Sequence, residues 1–95
     1  MENQPGSNNP TTRFFRTEDL PLAAYLRLTA ELRFHCIQAT GNGHAIFVFL
    51  DPEGQGPTIE ADFIAGKKRI DPLPFYNTQR LCLREAKRAA KGDRQ

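Results

Sequence analysis

Two histidines, two cysteines, two close pairs of carboxylates and a C-terminal run of cations are the side chains of this 95-residue chain with chemistry to offer. His35 and Cys36 are neighbours in what reads as a strand, so they point to opposite faces and do not ligate one ion together. His44 enters the facing strand, yet two histidines do not close a metal site, and neither Cys36 nor Cys82 has CxxC spacing. No metal is expected. Both cysteines fall on apolar faces, where a free thiol packs as a small hydrophobe, so a Cys–His nucleophile is discounted. Asp51 with Glu53, and Glu60 with Asp62, lie in a loop and at a helix start, where acids belong for local reasons. Gly54-Gln55-Gly56 is followed by no lysine-bearing helix and makes no phosphate loop. The sequence offers no catalytic residue and no cofactor site, and the chain is expected not to be an enzyme.

The cations are another matter. Residues 1–65 carry four Lys/Arg against eight Asp/Glu, whereas residues 66–95 carry nine against three, an imbalance hidden in a net charge of +2. At 100° per residue, Arg80, Arg84, Lys87, Arg88 and Lys91 fall in a helical sector about 100° wide. Phe75, Gln79, Cys82, Leu83, Ala86, Ala89 and Ala90 fall opposite them. Lys67-Lys68-Arg69 lie just upstream. If tripeptide and stripe share one surface, they engage several phosphates of a single- or double-stranded nucleic acid, with salt-sensitive, sequence-poor binding. The alternative function is a protein-interaction module with no nucleic-acid role, docking an acidic partner or a second copy of the chain. The plainest alternative is a stripe that only keeps the helix solvated.

A second nucleic-acid signal departs from its pattern. Gly43-His44-Ala45-Ile46-Phe47-Val48-Phe49 overlaps the third-strand signature of RNA-recognition modules, but Asn42 stands where a cation belongs and Ile46 and Phe47 are out of phase. Phe47 and Phe49 share a face. Core packing is expected of them, with base stacking as the alternative.

The elements that must position these groups follow from periodicity. Residues 1–12 contain one apolar side chain, Met1, and read as a disordered leader. Arg13-Phe14-Phe15-Arg16 reads as a short edge strand. Thr17 or Asp19 caps a helix of about three turns whose stripe is Leu20, Ala23, Ala24 and Leu28, widened by Leu22, Tyr25 and Leu26 into one broad packed face, with Pro21 tolerated in its first turn. Leu32–Gln38 alternates as a strand, with Leu32, Phe34 and Cys36 on one side and Arg33, His35 and Ile37 on the other. Thr40-Gly41-Asn42-Gly43 turns the chain into Ala45–Leu50, apolar throughout and so a central strand. Thr58 opens a short helix through Ile59, Phe63 and Ile64, stopped by Gly66. Lys67–Pro74 is expected to be extended, with room for a fourth strand, and the last helix to run from about Phe75 to Lys91.

Thr17-Glu18-Asp19-Leu20-Pro21-Leu22-Ala23-Ala24-Tyr25-Leu26 resembles the opening of a family of small uncharacterised bacterial and phage domains, patterned Ser/Thr-x-Asp-Leu-x-Leu-Ala-Ala-x-Leu. Phe47-Val48-Phe49 followed by Asp51, Ile70-Asp71-Pro72 and the helix Tyr76–Arg88 are similar to that family's later landmarks. The resemblance covers about residues 14–88. It implies a bacterial domain of unknown function and carries over no catalytic residues.

The expected fold is a small single α+β domain over residues 13–91, in the order β-α-β-β-α-(β)-α, with a short tail at 92–95. A three- to four-stranded antiparallel sheet should carry its helices on one face. Leu20, Ala23, Ala24, Leu28, Phe34, Cys36, Ile46, Val48, Phe49, Ile59, Phe63 and Leu83 form the expected core. So small a chain has little surplus burial, which makes a homodimer plausible. With no apolar run of membrane-spanning length and no basic-then-apolar N-terminus, a cytoplasmic location without a membrane partner is expected.

Overall fold

The computed structural model describes residues 13–91. The expected leader and tail lie outside them. Three strands and three helices follow in the order β1 (Phe14–Thr17), α1 (Leu20–Thr29), β2 (Arg33–Ala39), β3 (Ala45–Leu50), α2 (Gly56–Ile64) and α3 (Pro72–Ala90). The result is a small α+β fold with one antiparallel sheet of order β1-β3-β2. β3, the most apolar strand, takes the centre, and β1–α1–β2 straddles it as a split β-α-β unit.

Local chemistry sets the boundaries. The Asp19 carboxylate accepts from Leu22 N at 3.3 Å at the head of α1, and Pro21 sits in the first turn, where no N–H is needed. No glycine ends α1; Ala30 itself adopts a left-handed φ of 59° and donates to Leu26 O. The β2–β3 hairpin turns through Gly41 and Gly43, both at positive φ, and Ala39 pairs with Ala45 across its base.

The core lies between the sheet and the helices. Phe47 and Phe49 point inward from β3, joined by Phe15 from β1 and by Phe34 and Ile37 from β2. Leu22 through Leu26 are all buried, five consecutive residues and hence every side of α1. The broad face that the sequence predicts thus extends round the helix, because α3 covers the side that the sheet leaves open. Ala23, Ala24, Val48, Phe49 and Ile59 are buried as expected, but Leu28 and Leu83 are not. Leu28 falls in the last turn of α1, and Leu83 on the flank of α3 rather than on its inner line. Cys82, fully buried, holds that inner line instead.

Three further expectations are corrected. A bulge between Phe34 and Cys36 breaks the alternation of β2, so Phe34 and Ile37 both face the core. No fourth strand forms among the described residues. Instead α3 begins at Pro72, with both prolines in its first turn, where the missing N–H groups leave no helical bond unmade. α2 begins at Gly56, ahead of Thr58, and its N-cap residue, Gln55, contributes no side-chain bond. The Asp51 carboxylate caps the helix from five residues upstream, accepting from Gln55 N at 2.7 Å and from Gly56 N at 2.8 Å.

Candidate nucleic-acid interface

α3 packs on α1 and on the sheet through Phe75, Cys82 and Ala86, and its opposite side faces solvent. Inward packing of these residues fixes the rotation of the helix, and the rotation puts Arg80, Arg84, Lys87, Arg88 and Lys91 outside, all exposed. Arg84, Lys87, Arg88 and Lys91 line one shallow depression. Glu85, the sole carboxylate within α3, turns away from the stripe to pair with Arg27 of α1. Among the described residues no ion pair engages any of the five cations. Arg80 stands 5.8 Å over the ring of Tyr76, an exposed residue that leads the stripe.

The upstream tripeptide is divided. Lys67 and Arg69 are exposed, but Lys68 folds back toward α1, 3.2 Å from Glu31 and 5.9 Å from the Tyr25 ring. Its hydrogen bond to Glu31 raises its pKa. Burial, and then the Glu31 carboxylate that its hydroxyl reaches, raise the Tyr25 pKa. Lys68 therefore belongs to a structural cluster rather than to the free cations.

The remaining candidates take structural roles. Phe47 and Phe49 are buried against the helices, out of reach of any base. No cluster of three or more His, Cys, Asp or Glu that could hold a metal occurs among the described residues. Asp51 is buried as a cap, and Glu60 and Asp62 lie within α2. Arg27, which the sequence presents as one more surface charge, bridges α1 and α3. Its guanidinium lies 4.1 Å over Phe34, pairs with Glu85 and approaches Cys82 Sγ at 3.9 Å. Both cysteines are free, and burial pushes the Cys82 thiol up. Iodoacetamide on the folded protein should label the half-buried Cys36 and leave Cys82 unmodified until denaturant is added. Mass spectrometry of the tryptic peptides checks this.

Sequence reasoning missed a second cationic surface. The helices pack against one side of the sheet, and the other side presents Phe14 and Arg16 from β1 with Arg33 and His35 from β2. The signal was the plain alternation of Phe14-Phe15-Arg16 and Arg33-Phe34-His35.

No protein-family model, curated protein or solved structure matches this chain. No described helix is long and apolar enough to cross a membrane. Chemically, the α3 face can hold an anion that runs along it, because its guanidinium and ammonium groups repeat over three turns, about 16 Å of helix.

Proposed function

We propose that this is a non-enzymatic cytoplasmic protein that binds nucleic acid along the cationic face of α3. The observation that carries the reading is the run Arg80, Arg84, Lys87, Arg88 and Lys91, exposed together and engaged by no carboxylate among the described residues. Lys and Arg so arranged meet phosphates whatever the bases are, so affinity falls steeply with salt and hardly varies with sequence. The two free thiols fit a reducing compartment. The proposed kinship with small bacterial and phage domains of unknown function rests on Thr17–Leu26, Phe47–Phe49 with Asp51, Ile70–Pro72 and Tyr76–Arg88, and residues of the first segment serve as cap and core here.

Binding of a labelled mixed-sequence duplex, followed by fluorescence anisotropy across a salt series, tests the proposal. Five phosphate contacts give a slope of log K against log salt of about −4.5. Arg84→Glu with Arg88→Glu should abolish binding at low salt without altering the melting curve. A wild-type protein that ignores the duplex at low salt ends the reading, as does a charge-reversed variant that binds like wild type.

One observation favours a protein partner instead. Leu73 and Tyr76, 67% and 56% exposed, lead the same helix face and would suit an acidic partner with an apolar segment. A second copy is the poorer occupant of this face, since pairing two such stripes sets cation against cation.

A further inference from the structure

All three helices leave one side of the sheet uncovered, and that side has an unusual inventory. Its outward positions are Phe14 and Arg16 on β1, Ile46, Val48 and Leu50 on β3, and Arg33, Cys36 and Gln38 on β2, with His35 in the bulge between Phe34 and Cys36. None is a carboxylate; Glu31 and Glu53 lie only at its edge, in the depression lined by Arg33 and Leu50. The ring of Phe14 meets that of His35 at 5.0 Å between centroids, although their strands are separated by β3. The two rings thus form a roof over the central strand. Beneath this group Val48, paired across the ladder with Arg16 and Cys36, stands outside the helix-side core yet is only 1% exposed. Arg16 completes the group, its guanidinium carbon 5.6 Å from the Phe14 centroid. Arg16, Arg33 and His35 are themselves exposed.

We infer that this open sheet face is a platform for single-stranded nucleic acid, with Phe14 and His35 stacking bases and Arg16 and Arg33 holding the adjacent phosphates. The choice of ligand follows from the kind of side chain. The α3 face mixes ammonium groups with guanidinium groups and suits a phosphate backbone. Beside the aliphatic side chains of β3, the sheet face carries planar groups, an aromatic ring, an imidazole and two guanidinium planes, each able to lie flat against a base, and no ammonium group. A duplex keeps its base faces inside its own stack and offers nothing to such a surface, whereas a single strand offers both bases and phosphates. Three strands span roughly 10 Å between the outer two, space for about two stacked bases. The platform is also fixed before the ligand arrives, since the two rings already meet each other and little ordering remains to oppose binding. An acidic peptide would satisfy the two arginines but leave the ring pair unused.

The inference rests on the nucleic-acid reading above for its ligand class but not for its surface. A single experiment on the full chain separates the two. Anisotropy is measured with a labelled short oligothymidylate and with the mixed-sequence duplex, for wild type and three variants. Arg16→Glu with Arg33→Glu changes two exposed residues, and about a tenfold or greater loss of oligothymidylate affinity with unchanged duplex affinity is expected. Phe14→Leu keeps an apolar cover over Val48 and removes the ring; about a fivefold or greater loss for the oligothymidylate is expected. The third variant, Arg84→Glu with Arg88→Glu, should lose the duplex. Sheet-face variants that bind oligothymidylate as wild type does overturn the platform and leave α3 untouched. A stripe variant that keeps the duplex, beside sheet variants that lose the single strand, overturns the α3 reading and leaves the platform standing. Wild-type protein that binds neither probe overturns both.

Discussion

Gly56→Ala should be the most damaging single-methyl substitution in this chain. A Cβ placed on Gly56 would lie 2.9 Å from the Cβ of Phe15 and closer still to two of its ring carbons. Rotating Phe15 about χ1 swings the ring but leaves its Cβ where it is, so the clash is relieved only by moving α2 away from β1. Such a shift would pull Gly56 N from the Asp51 carboxylate, 2.8 Å away, and loosen the packing of Ile59 in the core. The opposing gain, the better helix propensity of alanine, is at most about 1 kcal/mol and smaller in the first turn. Overpacking of this severity costs about 3 kcal/mol, so the loss wins. Gly66→Ala is the internal comparison. There the backbone is strained at φ 77° but nothing lies within 4 Å of the added methyl, and about 1 kcal/mol is expected. Urea titrations of both variants check the ranking. Equal midpoints would mean that α2 yields freely and that its seat on Phe15 contributes little.

The difference between those two glycines was invisible in the sequence, where Gly56 reads as one of several loop residues and Gly66 as the stop of a short helix. What could be read was whatever depends on neighbours in the chain. The Asp19 cap, the Gly41–Gly43 turn and the apolar run of β3 are local features, and each appears where its residues place it. The α3 stripe was legible for the same reason, since 100° per residue fixes a sector once the helix exists. The β2 alternation failed because a bulge at Phe34–Cys36 inserts one residue, and only the pairing with β3 reveals it. Leu22 and Leu26 escaped the expected core because α1 is covered by α3 as well as by the sheet, a long-range fact. Lys68 looked like its neighbours Lys67 and Arg69 until the fold brought Glu31 to it. The open sheet face combines both obstacles. The bulge moves Cys36 onto this face, and nothing local says which side of the sheet the helices will choose.

Asp51→Ala should produce the second large loss of stability, for a reason that links the strand layer to α2. Asp51 is 4% exposed, and both its oxygens are used, Oδ1 by Gln55 N and Oδ2 by Gly56 N. Its own N–H donates to Arg13 O at 2.9 Å, which ties the end of β3 to the start of β1. Truncation leaves the backbone intact and removes both acceptors. Gln55 is exposed and can turn to water, whereas Gly56 is buried and its N–H is left without a partner. One charge-assisted bond lost to solvent and one donor stranded cost about 3 kcal/mol together. In a domain of this size each kcal/mol lowers the melting temperature by about 4–8 °C, so a fall of roughly 12–24 °C is expected. Asp51→Asn keeps the shape and one acceptor oxygen and should fall between Ala and wild type. A thermal melt in which Asn and wild type coincide would show that the carboxylate charge is unimportant to the cap. Because Asp51 and Gly56 share a hydrogen bond, Asp51→Ala and Gly56→Ala should be less than additive when combined. Once α2 has been displaced by the methyl, there is no longer a Gly56 N–H in place for the carboxylate to hold.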